Sequence, residues 1–360
     1  YGTEYLELSF SQVAMLVSLA SFVRVILEVP TGSWADRFGR KKIFVVGTAL
    51  YVFSIAVYVL TKDINVLVLG QIVGGFGSAL TSGTLAALIY DTLVEDGKED
   101  MYISVNSNKQ TYLFISRASA AILSGFIYGV DPRLPYILMG IFYTTTMFLG
   151  ILLHEPEYTK PDSLSDFSQI KDTIKYLIAN RKIVFFLTIL SGFILLANML
   201  FVMYQPFFDS TGLDKEIIGF IYLVAFVISA IGSQVIKKIV AKLGYRKILV
   251  IMFLATITAA LLFLSQIAIF GVMAVAVISI ILGFQNTVEY SYLNSKLPSN
   301  IRATGLSILE MMKTLAFVIA LNLAGSISDS SFGLVGVYIF VISGIVVFFF
   351  TLFLVKFKKL

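Results

Sequence analysis

The 360-residue chain has no cysteine, which removes disulfides, thiolate metal sites and cysteine nucleophiles together. A single histidine, His154, leaves no imidazole cluster for a metal or a catalytic triad. Charge is scarce too: Asp, Glu, Lys and Arg supply 14% of the residues, while 58% are hydrophobic. That is too little polar side chain to cover an aqueous surface, so a soluble enzyme is excluded. What is plentiful is apolar and aromatic, with 31 Phe and 18 Tyr and a mean hydropathy of +0.90. Lipid is therefore the solvent for most of the chain. The net charge of +5 reads as basic cytoplasmic loops rather than as a nucleic-acid surface. The acidic run Glu95, Asp96, Glu99 and Asp100 lacks the ligand spacing of a calcium loop and reads as a solvated turn. His154, beside Glu155 and Pro156, reads as an interfacial helix end.

Apolar stretches long enough to cross about 30 Å of hydrocarbon fall near 11–34, 43–61, 64–90, 105–129, 134–154, 183–208, 216–236, 248–265, 267–291, 303–324 and 332–355. They are read as α-helices, because an isolated strand cannot satisfy its backbone in lipid and the alternation of a barrel strand is absent. Eleven helices result. With the turn Trp34 to Lys42 on the cytoplasmic side, 20 of the 27 Lys and Arg residues lie inside, 3 lie outside and 4 fall within spans. That asymmetry orients the chain with its C-terminus cytoplasmic. An odd number of spans then places Tyr1 outside, which leads to the expectation of twelve helices, with the first absent from this chain. The polar segment 155–182 divides an N-terminal bundle, 1–154, from a C-terminal bundle, 183–360. Within that linker Phe167, Ile170, Ile174, Leu177 and Ile178 recur at helical spacing opposite Lys171 and Lys175. The pattern predicts either an amphipathic helix on the cytoplasmic leaflet or a simple tether.

A shift of 205 residues lays Ala35-Asp36-Arg37-Phe38-Gly39-Arg40-Lys41-Lys42 over Val240-Ala241-Lys242-Leu243-Gly244-Tyr245-Arg246-Lys247. In both copies a glycine and a basic run occupy the turn between two helices, and repeated six-helix halves are the architecture of secondary transporters. The segment Gly32 to Lys42 resembles the signature loop of the major facilitator superfamily, Gly-x-Leu-Ala-Asp-Arg-x-Gly-Arg-Lys, from which only Trp34 departs. The resemblance implies an all-α membrane fold of two six-helix bundles and transport by alternating access, with Gly32, Asp36, Arg37, Gly39, Arg40 and Lys41 as a cytoplasmic gating motif. Gly39 permits a tight turn, and Asp36 can pair with a base or cap a helix. Gln71-Ile72-Val73-Gly74-Gly75-Phe76-Gly77 stands where the family's fourth helix has an arginine associated with proton coupling, and that arginine is replaced by Gln71. The fifth helix, Ser116 to Gly125, lacks the glycine–proline signature of the drug antiporters.

Charges at membrane depth cost about 2.5 to 3.5 kcal/mol each and need a partner or a wet cavity. Those in view are Arg24 and Glu28, four apart on family helix 2, Arg117 on helix 5, and Glu310 with Lys313, three apart on helix 11. Each close pair reads either as a local ion pair or as a switch that exchanges partners and takes up a proton. The resemblance implies a cavity lined by helices 1, 4, 7 and 10. These supply Gln71, Asn198, Met203, Tyr204, Phe284, Gln285 and Asn286, with no midspan charge among them. Such a lining fits proton-coupled efflux of small lipophilic compounds from a bacterial cytoplasmic membrane, by a monomer that needs no cofactor and no metal. Transport of one specific metabolite, or a membrane-embedded lipid-handling role, is the alternative.

Overall fold

A computed structural model of the protein describes residues 1–156, 167–296 and 299–330, with positions 338, 339, 341 and 344. The expected span at 332–355 and the first part of the linker, 157–166, lie outside the described residues. Among the described residues there are ten α-helices and no strand: α1 Phe10–Phe38, α2 Arg40–Leu60, α3 Ile64–Glu95, α4 Tyr102–Val130, α5 Leu134–Leu152, α6 Phe167–Ala179, α7 Arg181–Ser210, α8 Lys215–Leu264, α9 Ala268–Lys296 and α10 Ser299–Ser328. Nine helical stretches among them are long and apolar enough to cross a membrane. The protein is an all-α, multi-pass membrane protein. The span expected at 105–129 is shorter in its apolar part than the sequence reading has it. Asn106, Asn108, Lys109 and Gln110 occupy its first turns, so the apolar part of α4 is Ile115–Val130.

Local chemistry sets several ends. Ser9 caps α1 through a reciprocal box with Gln12, whose side chain accepts from the Ser9 N–H at 2.8 Å while the Ser9 hydroxyl accepts from the Gln12 N–H at 3.2 Å. Asp63 caps α3 by accepting from the Asn65 N–H at 2.8 Å. The basic turn expected as a loop from Gly32 to Lys42 is almost entirely helical. Gly32 to Phe38 complete α1, Arg40 opens α2, and the reversal is concentrated in Gly39, with φ 103° and ψ 136°. Its repeat counterpart Gly244, with φ 76° and ψ 160°, is the one break within α8. Positive φ is open to glycine and strained for other residues, so the 205-residue repeat reappears as a pair of one-residue hinges.

The helices gather into two units. The first comprises Tyr1–Ile115 and Ile127–Asp166, and the second Ser116–Phe126 and Phe167–Leu360. In the first, α3 packs on α1 and α2, and α2 packs on α5. In the second, α8 and α9 pair extensively, α7 packs on both, and α10 lies against α6, α7 and α9. The core of the second unit includes a fully buried aromatic group, Tyr204, Phe207, Phe208 and Phe263, joined by edge-on ring contacts.

Candidate functional site

Three polar constellations stand out inside these apolar units. The first surrounds the Gly39 hinge. The Glu155 carboxylate accepts the Arg40 N–H at 2.6 Å and the Lys41 N–H at 3.1 Å. A residue 115 positions distant from Arg40 thus caps the start of α2 and complements its dipole. The Arg40 guanidinium forms an ion pair with Asp91 of α3, and both side chains are largely buried. The Arg37 guanidinium lies over the Phe38 ring at 5.4 Å.

The second constellation is a cavity of about 340 Å³ in the first unit. Its polar walls are Ser21 and Arg24 of α1, Tyr51, Ser54 and Tyr58 of α2, Gln71 and Ser78 of α3, and Tyr136 of α5. The Tyr58 and Tyr136 rings stack at 5.7 Å between centroids, and Gln71 lines the same cavity as both. Flat aromatic faces with one guanidinium and one amide are groups that can engage a solute by stacking and a few directed hydrogen bonds.

The third lies in the second unit, where Glu289 of α9 has a fully buried side chain. The Lys313 ammonium on α10 sits 2.6 Å from Glu289 Oε2 and 2.7 Å from Glu310 Oε1. The Glu310 side chain is 45% exposed against 0% for Glu289. Ser191 of α7 donates its hydroxyl to Glu289 Oε1 at 3.4 Å. One turn away, Gln285 of α9 accepts from Asn198 of α7 at 3.2 Å. One lysine is therefore shared between a buried and a half-exposed carboxylate, and polar side chains link three helices. A carboxylate taken out of water requires such a partner or a proton.

The family model of the Major Facilitator Superfamily matches residues 2–283 and again 195–359. The chain belongs to this superfamily. It is similar to the uncharacterized MFS-type transporter YxaM of Bacillus subtilis strain 168, with 22% identity over 93% of this chain and 85% of that protein. It is also similar to Multidrug resistance protein 2 of the same organism, 26% identical over 71% of this chain and 64% of the relative. A third relative is the quinolone resistance protein NorA of Staphylococcus aureus, 25% identical over 46% of this chain and 41% of the relative. Among solved structures, the nucleoside transporter NupG superposes with a TM-score of 0.79 at 14% identity, covering 99% of this chain and 93% of that one. A D-xylose-proton symporter superposes with a TM-score of 0.74 at 17% identity over 97% and 88%. These likenesses establish the superfamily fold, and membership makes the chain a transporter rather than an enzyme.

Within the superfamily frame, some of the residues singled out from sequence fall in these constellations and others lie outside them. Arg24 and Gln71 line the first-unit cavity. Glu28, four residues from Arg24, does not join it in an ion pair among the described residues. Both side chains are exposed, and an Arg placed N-terminal to a Glu is the weaker order for a helical pair. Arg117 is exposed on α4. Met203 and Tyr204 are 0% and 1% exposed and sit in the aromatic core of the second unit, with Tyr204 edge-on to Tyr222 at 4.3 Å. In this structure both are enclosed by that core rather than open to a cavity. Phe284 is likewise buried, against Gly232. A Cβ at Gly32 would meet nothing within 4 Å, so no steric demand explains that glycine. The side chains of Asp36 and Asn286 lie outside the described residues.

Sequence reasoning missed Asp91, Glu155 as a cap, and Glu289. The signal for Glu289 was present, since it is a carboxylate inside the apolar stretch 267–291, on the same face as Gln285 four residues earlier. An Arg24→Ala, Glu28→Ala cycle scored by thermal unfolding should return a coupling energy below about 0.5 kcal/mol. A value above about 1 kcal/mol would show that the two residues do pair.

Proposed function

We propose that the protein exports small lipophilic compounds from a bacterial cytoplasmic membrane, as a monomer working by alternating access, with proton entry as the driving force. The observation that carries the coupling is the sharing of Lys313 between buried Glu289 and half-exposed Glu310. While Lys313 bridges both, Glu289 is held charged. A movement of α10 that draws the ammonium away leaves Glu289 with the Ser191 hydroxyl, and burial without a countercharge then drives proton uptake. Glu289 joins Glu28 and Glu310 as a candidate coupling carboxylate, and it leads them because it alone of the three combines a fully buried side chain with the lysine contact. The tyrosine walls of the first-unit cavity and the resistance proteins among the relatives support a lipophilic, partly aromatic cargo.

In proteoliposomes, Glu289→Gln should abolish accumulation driven by a pH gradient while downhill exchange persists, since the amide stands in for the protonated acid. Glu310→Gln should weaken accumulation less. A Glu289→Gln protein that concentrates solute as well as its parent would refute this coupling site. Arg24, Gln71 and the serines of the same cavity favour a second reading, transport of one hydrogen-bonding metabolite. That reading requires saturable flux of a single solute that lipophilic compounds do not compete away.

A further inference from the structure

We infer that α6 is a binding site for anionic phospholipid, recognising headgroups of the leaflet that the basic loops face. The helix spans only Phe167–Ala179, too short to cross a bilayer, and it packs on α10 and α7. Thr173, fully buried, and the partly buried Tyr176 and Leu177 form the inward side. Lys171 and Lys175 are four apart, as are Ile174 and Ile178, and each lysine is three before one of the isoleucines, so the four share the opposite side. All four are exposed, with Ile174 at 42% and Ile178 at 68%. This differs from the sequence expectation, which set the isoleucines opposite the lysines. Docking of Thr173 and Tyr176 against the protein turns both kinds of residue outward together.

An exposed arc of two isoleucines and two lysines fits neither water nor hydrocarbon alone. At a membrane interface the isoleucines enter the acyl boundary and the ammonium groups reach the headgroups. Two cations on such a helix favour phosphatidylglycerol-like headgroups over zwitterionic ones, an attraction that salt screens. Free inorganic phosphate satisfies the lysines but leaves both isoleucines in water, so the bilayer lipid is the occupant that matches the whole face. Because the inward side is packed on α10 and α7, the lipid site is fixed to the second unit.

The test uses the full chain in vesicles of phosphatidylcholine, comparing the association of spin-labelled phosphatidylglycerol with that of spin-labelled phosphatidylcholine. The parent should prefer the anionic lipid, and the preference should fall as salt is raised. Lys171→Gln with Lys175→Gln should reduce it on the order of tenfold, while Lys171→Arg with Lys175→Arg should retain it. No preference in the parent, or a preference unchanged in the glutamine pair, would overturn the proposal. The absence of cysteine supplies a second measurement. An environment-sensitive dye on Ile178→Cys should report a drier setting when phosphatidylglycerol is added, and an unmoved spectrum would count against the site. Inorganic phosphate should displace the labelled lipid no better than chloride at equal ionic strength. Stronger displacement by phosphate would make this a general anion site and refute the lipid assignment.

Discussion

Lys313→Met alone should sharply lower the stability of the protein, and combining it with Glu289→Gln should restore most of the loss. The single change strands a carboxylate that is 0% exposed, left among the described residues with a long hydrogen bond from Ser191 at 3.4 Å. Removing one partner of a buried ion pair costs about 3 to 5 kcal/mol, whereas replacing both by neutral groups of similar volume is often close to neutral. Glu310→Gln should cost less than about 1 kcal/mol, because its half-exposed side chain is screened by solvent. Thermal unfolding of the purified variants, with membrane expression as a second readout, separates these outcomes. A double variant no more stable than Lys313→Met would show that Lys313 is not what holds Glu289 charged. Transport should stay low even in the rescued double variant if the lysine's movement is what links proton and solute.

Gly39→Val is expected to be nearly as damaging, for a different reason. At φ 103° any L side chain is strained by about 1 to 3 kcal/mol. The new Cβ would also lie 3.0 Å from Glu155 Oε2, the carboxylate that accepts the Arg40 and Lys41 N–H groups. Losing such a cap costs about 1 kcal/mol more. Gly32→Val is the matched control, since Gly32 lies within α1 and its added side chain meets nothing within 4 Å. Its effect should stay within about 0.5 kcal/mol. If the two valine variants melt together, the hinge geometry is not what makes Gly39 necessary.

Particular residues show how far reading the chain reached. The apolar stretches among the described residues became helices with ends displaced by a few residues, and the basic run around Gly39 became a one-residue turn whose counterpart Gly244 shares the positive φ. Both features are local. Glu289 and Asp91 are not, because one looks like a tolerated charge in an apolar stretch and the other like a polar residue just past the end of one, until a distant lysine or arginine is seen beside it. Glu155 read as the start of a linker, and only the fold brings it to the first turn of α2. The Arg24 and Glu28 spacing pointed to a pair that does not form, since spacing permits a contact without supplying the burial that makes it worthwhile. On α6 the periodicity was legible, but its rotation was not. Thr173 is polar and yet fully buried, which hydropathy alone would never select.

Composition and local pattern by themselves determined that this chain lives in lipid, crosses it as helices, turns on glycines flanked by basic residues and has no soluble-enzyme chemistry to offer. Each of those outcomes is a sum of transfer and backbone free energies over neighbouring residues, so the order of residues suffices. The tertiary structure alone decided that Lys313 is divided between Glu289 and Glu310, that Arg40 meets Asp91, and that Ile174 and Ile178 face outward beside two lysines. An ion pair or a buried face is worth something only where two separate helices meet and exclude water, and which helices meet is settled by packing between elements rather than within them.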